Sequence, residues 1–333
     1  MQTTGEPQWV NSPPQSPIAD SKTLSALEKA GVVFSAHVRQ SFRLHPSDFT
    51  GELIRLLDDL STETHSISAL VNEGSEHIQY GYVGNSLNAE FVTQQLYHAL
   101  SHDGYACVFL FKDHPKPYTC PSNMPHGDYV ICLSPLEYDL LCPQQSICGT
   151  IFSVYERKSP TGLPGRSIDL QQCAKEQIAA GYCLYSSTTT FFYTMGNGVY
   201  EFLLHPVAKQ YFQSPSYRLQ VPQTETLWGE RSYIRNCEGF AREVASHVLQ
   251  ENEKTFHTGS LIGDFDSVLR MGGVLLARNV HFLCEAAPLA YIMEQANGQA
   301  VTSLGKRILD IEVGNDPHKK IDIVMGNFSI HKV

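Results

Sequence analysis

No run of apolar residues in this chain is long enough to cross a membrane, and its first residues lack the charged-then-apolar order of a signal peptide. Basic residues are in short supply. The 24 Lys and Arg face 34 Asp and Glu, a formal net charge of −10, which excludes a general nucleic-acid surface built on clustered cations. The same deficit sits oddly with a highly anionic substrate unless a local basic pocket compensates. Cysteines number nine, an odd count, and no two stand in a C-x-x-C pair. Neither a disulfide framework nor a zinc site is indicated, and a reduced compartment is the simpler setting. The absences together lead us to expect a soluble cytoplasmic protein with neither nucleic-acid nor membrane partners. What remains, 333 residues of which 42% are apolar, suffices for one large core or two joined domains.

Residues 1–20, rich in Pro, Ser and Gln, read as a disordered tail. Leu53, Leu57, Leu60, Ile67, Leu70 and Val71 recur at helical spacing and are expected to form a helix that Gly74 closes. A second helix is expected from an Asn88 cap through Phe91, Val92, Leu96 and Leu100. Short apolar runs follow at 105–111, 129–133, 149–155 and 181–185, and Gly196-Asn197-Gly198 marks a hairpin between 190–195 and 199–204. Beyond residue 212 the pattern alternates. Helices are expected around Phe240, Val244 and Val248, around Phe265, Val268 and Leu269 with Asp264 as cap, and from Pro288 to Gly298. Strands are expected at 274–277, 280–284, 308–313 and 321–325. The expected organisation is an N-terminal helix and antiparallel-sheet domain over 21–211 and a C-terminal α/β domain over 212–333, with sheets between helical layers.

Several blocks carry a resemblance. Gly127-Asp-Tyr-Val-Ile-Cys-Leu-Ser-Pro-Leu136 followed by Ile147-Cys-Gly-Thr-Ile-Phe-Ser-Val-Tyr155, then Gly181-Tyr-Cys-Leu-Tyr-Ser-Ser187, Thr258-Gly-Ser-Leu-Ile-Gly-Asp264, Met271-Gly-Gly-Val274 and Glu285-Ala-Ala-Pro-Leu289 resemble the blocks of class I fructose-1,6-bisphosphatases, in the same order across residues 48–328. The resemblance implies an α/β fold of five layers, αβαβα, and a tetramer. It also implies hydrolysis of a phosphate ester with the help of Mg²⁺ held by carboxylates, because magnesium prefers near-octahedral oxygen ligation.

The positions that would carry that chemistry depart from the family. Its acidic pair aligns with Lys112-Asp113-His114, which puts a cation where a metal ligand belongs. Its D-P-L-D-G-S-S becomes Ser134-Pro-Leu-Glu-Tyr-Asp-Leu140, so Glu137 replaces the second Asp, while Tyr138, Asp139 and Leu140 replace the phosphate-cradling small residues. Glu285 is unchanged. On the sugar-phosphate side, Arg-Tyr becomes Phe256-His257, a Tyr becomes Ala277, a Lys becomes Asn279 and an Arg becomes His281, and an amide persists at Gln220. Thr50-Gly-Glu-Leu53 matches the family's AMP-site helix start, but the cations completing that site map to Asp128 and Glu156.

These losses favour the expectation of a repurposed enzyme without metal or other cofactor. It would use acid/base or shape-driven chemistry of isomerase, lyase or cyclase type on a less charged, partly apolar metabolite. Its acid/base groups would be Asp113, Glu137, Asp139, His257 and Glu285. Phe111, Lys112, Tyr138 and Leu140 would contact the ligand from one side, and Gln220, Phe256, Ala277 and His281 from the other. The chain is expected to be a homo-oligomer, a dimer or tetramer. The alternatives are a non-catalytic pseudophosphatase acting as a regulatory or sensor subunit, able to assemble with a bisphosphatase paralogue, and a residual Mg-dependent sugar bisphosphatase.

Overall fold

The computed structural model describes residues 31–44, 50–79, 89–120, 123–137, 147–215, 218–251 and 254–328. The chain opens with helices α1 (Phe34–Leu44), α2 (Gly51–Gln79) and α3 (Ala89–Ser101). Leu53, Leu56, Leu57, Leu60 and Ile67 of α2 are fully or almost fully buried, the one-sided stripe that threes-and-fours spacing dictates. The backbone stays helical through Gly74. A glycine costs a helix about 1 kcal/mol, too little to stop one that long. The expected tail at 1–20 and the Asn88 cap lie outside the described residues.

Eight strands build the first sheet: β1 (Ala106–Phe111), β2 (Tyr118–Thr119), β3 (Tyr129–Glu137), β4 (Cys148–Glu156), β5 (Gln177–Tyr185), β6 (Thr190–Thr194), β7 (Tyr200–Leu204) and β8 (Tyr211–Gln213), in the order β2-β1-β3-β4-β5-β6-β7-β8. Only β1 and β3 pair in parallel; the other pairs are antiparallel. The expected hairpin pairs β6 with β7, with φ positive at Gly196 and Gly198.

The second half contributes β9 (Leu227–Trp228), α4 (Arg231–Asn236), α5 (Gly239–Glu251), β10 (Thr255–Phe256), α6 (Leu261–Met271), β11 (Val274–His281), a π-helical turn (Phe282–Ala286), α7 (Ala287–Gln295), β12 (Gln299–Thr302) and β13 (Lys320–Gly326). Its sheet runs β10-β9-β11-β13-β12. Three apolar clusters show the layering. One joins α1–α3 to one face of the first sheet. The second packs α6, the π-turn and α7 between the two sheets. The third joins α4 and α5 to the far face of the second sheet. The result is the five-layer αβαβα arrangement. Among the described residues no helix is long and apolar enough to cross a membrane.

Local differences from expectation have local causes. The run 274–277 and the first two residues of the run 280–284 form one strand with a bulge between Ala277 and Val280, where Asn279 takes a left-handed φ of 54° and donates its N–H to Asp322. The strand ends at His281. Residues 308–313 hold a single 3-10 turn at Ile308–Asp310 rather than a strand. Ser260, not Asp264, caps α6, its hydroxyl accepting from Gly263 N.

Candidate active site

Two features aim carboxylates from opposite halves of the chain at one point between the sheets. In β3 the register shifts between Ser134 and Glu137. A regular strand would send side chains three apart to opposite faces, and the bulge at Pro135 cancels that alternation. Both side chains therefore turn toward the middle layer, where Ser134 meets Glu285 and Glu137 meets α6. The π-turn after β11 is the second feature; it carries Glu285 inward, and such turns recur where a side chain must be re-aimed.

Glu285 is 2% exposed and holds three donors. Lys112 Nζ lies 2.6 Å from Oε1, Ser134 Oγ donates to the same oxygen at 3.2 Å, and His281 N donates to Oε2 at 3.0 Å. Burial opposes the charge on Lys112, yet Glu285, with Glu137 and Asp113 behind it, holds the ammonium above the ordinary lysine range. Glu137 gives both oxygens to the start of α6, accepting from Leu261 N at 3.1 Å and Ile262 N at 3.0 Å. Those are amides a helix leaves unpaired at its positive end. Burial and then the charge of Glu285 nevertheless push the Glu137 carboxyl up to about 7, against the pull of Lys112 and the two amides.

His281 is buried beside this pair. Its Nδ1 accepts from Cys284 N at 3.3 Å, and its Nε2 faces His318 Nδ1 at 3.0 Å. Burial lowers its pKa to about 4 in spite of Glu285, so the ring is neutral at pH 7. His257 is 39% exposed at its side chain, with its Nδ1 2.6 Å from Asp264 Oδ2. The buried Asp264 carboxylate also takes Thr258 N at 2.7 Å and Thr258 Oγ1 at 2.9 Å. Asp264 thereby fixes the orientation of the ring.

The structure thus brings together Lys112, Glu137, Glu285 and His281, and sets His257 beside the same start of α6 whose Leu261 and Ile262 amides donate to Glu137. Other expected residues lie elsewhere. Phe111 is fully buried in the helix-facing core of the first sheet, edge-on to Tyr118, and walls no cleft. Asp113 points to solvent. Gln220 is exposed, and no hydrogen bond joins it to the cluster. Phe256 is 48% exposed and leans on Trp228. Ala277 lies half-buried at the β11 bulge. Tyr138, Asp139 and Leu140 fall outside the described residues. Sequence reasoning missed Asp264 as the anchor of His257; the spacing of seven across a capped helix start was the available signal.

The cluster's donors are hard oxygens of the kind magnesium takes: two carboxylates and the hydroxyl of Ser134. They suit a divalent cation in chemistry but are few, and among the described residues no group of three His, Cys, Asp or Glu stands close enough to hold one.

A family model for the N-terminal domain of fructose-1-6-bisphosphatase matches residues 40–215, and the model for its C-terminal domain matches residues 228–333. The chain belongs to the fructose-1,6-bisphosphatase family. A protein of Maridesulfovibrio salexigens named fructose-1,6-bisphosphatase class 1 is 29% identical over 305 residues, covering 84% of this chain and 89% of that one. A protein of Cytophaga hutchinsonii with the same name is 28% identical over 309 residues, covering 85% and 88%. In fold, the chain superposes on Leishmania major fructose-1,6-bisphosphatase in its T-state with a TM-score of 0.77 at 22% identity, covering 89% and 95%.

These findings correct two expectations. The reading of a repurposed enzyme that has left phosphatase chemistry is overturned by relatives that span most of the chain under the name of the phosphatase. The expectation of no cofactor falls with it, because the family is metal-dependent. The pseudophosphatase alternative gains no support from the same relatives.

The Glu137 environment carries a pH signature. A carboxyl whose folded pKa lies above its unfolded value keeps its proton in the fold after the unfolded chain has released it. Its contribution is therefore full below the unfolded pKa and is lost as pH rises. Between the ordinary value of 4.5 and about 7, the wild type is expected to lose about 3 kcal/mol relative to Glu137→Gln. His281, lowered to about 4, acts in the opposite sense in both proteins and cancels in the comparison. Urea unfolding in EDTA across that range measures it; parallel profiles for the two proteins would refute the assignment.

Proposed function

We propose that this chain hydrolyses a sugar phosphate, with fructose 1,6-bisphosphate as the first substrate to try, using a divalent cation held by Glu137 and Glu285 with Ser134 beside them. The observation that carries this reading is the convergence of those two carboxylates, from the two halves matched by the family models, on one buried point. Like charges that share a desolvated site are what a divalent cation neutralises. When bound, the cation supplies charge neutralisation of the phosphate and activation of the attacking water.

The chain's own residues do the rest. His257, oriented by Asp264, meets the phosphate or the leaving oxygen. Lys112 adds a positive charge beside Glu285, and Asp113 stands next to it in the chain. The exposed ring of Phe256 in place of a guanidinium leaves the phosphate with a weaker grip, so a high KM is expected. The setting that goes with this reading is a cytoplasmic homo-oligomer. Its domains would be divided near residue 212, where the first sheet gives way to the second.

Purified protein stripped of metal and then supplied with excess Mg²⁺ or Mn²⁺ is expected to release phosphate from fructose 1,6-bisphosphate in a cation-dependent way, at a rate below that of its relatives. Folded protein that releases no phosphate from any sugar phosphate at saturating cation would sink the proposal.

A further inference from the structure

We propose that a cavity at the edge of the first sheet is a binding site for a small organic monocarboxylate with an apolar body, apart from the candidate active site. It measures about 290 Å³, close to the small end of the range for small-molecule sites. β1, β2, the loop after β4 and residues 314–317 line it. Lys112, Ser134, Glu137 and Glu285 are not among the lining residues, so the inference stands whether or not a cation binds between the sheets. Val108 and Leu170, 2% and 4% exposed, give the cavity an aliphatic floor, and Pro117 and Pro317 add apolar rings beside it. Arg166 is the one ionisable side chain among the described residues that line it. Its guanidinium has no ion-pair partner among the described residues.

Two acids close by in the chain are already engaged. Asp169, fully buried, accepts from Lys158 N at 2.8 Å, Ser159 N at 2.6 Å, Ser159 Oγ at 2.8 Å and Arg166 N at 2.7 Å. Asp316 accepts from His318 N at 3.0 Å. The four donors to Asp169 also hold the loop in place before any ligand arrives. Gly165 lets that loop close on β1, since a Cβ there would overlap Val108 Cγ2 and lie 2.7 Å from Cys107 O. Gln171 Nε2 donates to Asn315 Oδ1 at 3.0 Å and ties the two sides together. The cavity is thus preformed, which lowers the entropy cost of binding. Its charge selects the ligand. A guanidinium pairs with a carboxylate through two parallel N–H···O bonds, and one cation balances one negative charge. A phosphate dianion or a dicarboxylate would leave a second charge against aliphatic side chains with nothing to offset it. A neutral sugar would leave hydroxyls unpaired there.

The full-length protein is titrated with phenylacetate, and with phenylacetamide and phenethylamine as its neutral and cationic counterparts, binding being read by saturation-transfer NMR of the ligand. Phenylacetate is expected to bind, the amide to bind about 10–100-fold more weakly, and the amine not to bind. Arg166→Gln is expected to weaken phenylacetate by the same factor and to leave the amide unchanged. Equal affinity for acid and amide, no binding of phenylacetate at millimolar concentration, or an unaffected Arg166→Gln would overturn the inference. So would displacement of phenylacetate by fructose 1,6-bisphosphate, which would place the acid at the candidate active site. Should Arg166→Gln fail to fold, the wild type still decides. Modification of Arg166 by phenylglyoxal, followed by mass spectrometry, is expected to slow several-fold when phenylacetate is present; unchanged labelling refutes the site.

Discussion

Glu285→Gln is expected to abolish cation-dependent phosphate release and to destabilise the fold. The carboxylate accepts from Lys112 Nζ and Ser134 Oγ on one oxygen and from His281 N on the other. A glutamine has one acceptor oxygen and one donor nitrogen. If its oxygen stays with Lys112, its NH₂ faces the His281 N–H, donor against donor. If it flips, its NH₂ faces an ammonium. Neither orientation satisfies this 2%-exposed position, and the lysine loses the charge that holds it. Removing one partner of a buried pair costs about 3–5 kcal/mol. Glu285 is also one of two carboxylates proposed to hold the cation. Since outer-shell partners alone account for roughly 10–100-fold in metal affinity or activity, a direct ligand should exceed that. Phosphate release at saturating Mn²⁺, together with urea unfolding, checks both parts. A variant with wild-type turnover would remove Glu285 from the site.

The second large effect lies away from the chemistry. Arg270, on α6, reaches Glu201 of β7 at 2.6 Å and Asp266 at 3.0 Å, and its guanidinium carbon lies 5.0 Å from the centre of the Phe192 ring. Tyr182 closes the network by donating to Asp266 at 2.8 Å. Burial opposes the charge on Arg270, but the two carboxylates hold it above the usual range; burial raises Asp266, with Arg270 opposing. Arg270→Ala would strand two carboxylates whose side chains are 4% and 12% exposed. The expected loss is about 3–5 kcal/mol, again the cost of an uncompensated buried charge. Replacing the three charged members, Arg270, Glu201 and Asp266, by apolar residues of similar volume should recover much of it, less the bond Tyr182 makes to Asp266, because a buried ion pair is poor evidence for net stabilisation. Thermal unfolding of the single and triple variants distinguishes these outcomes. A loss under about 1 kcal/mol, the range of exposed ion pairs, would show that solvent screens the cluster.

The fold was legible because it is written in short-range pattern. The α2 stripe, the continuous apolar runs of β1, β3 and β4, and the Gly-Asn-Gly hairpin each occupy consecutive residues, and the motif blocks fall in the family's order. Where expectation went astray, at 282–284 and 308–313, apolar residues were read as strands although Phe282–Ala286 forms a π-turn and Ile308–Asp310 a 3-10 turn. Period alone does not separate a short buried run of one kind from another. Asp264 was misread for a related reason: a carboxylate near a helix start looks like a cap, and here it anchors His257 while Ser260 does the capping.

The chain's own residues determined its family, its layered architecture and the identity of the atypical groups at the old ligand positions. They did not determine what those groups touch. Lys112 and Glu285 lie 173 positions apart. Only the packing of the π-turn against the first sheet makes one the counter-ion of the other, and only the β3 bulge turns Glu137 onto the start of α6. Phe111 looked like a pocket wall until the sheet faced it into the core. Local preference acts between neighbours in the chain. The charge and desolvation of a buried group depend on what the folded layers bring beside it, and those partners come from distant segments.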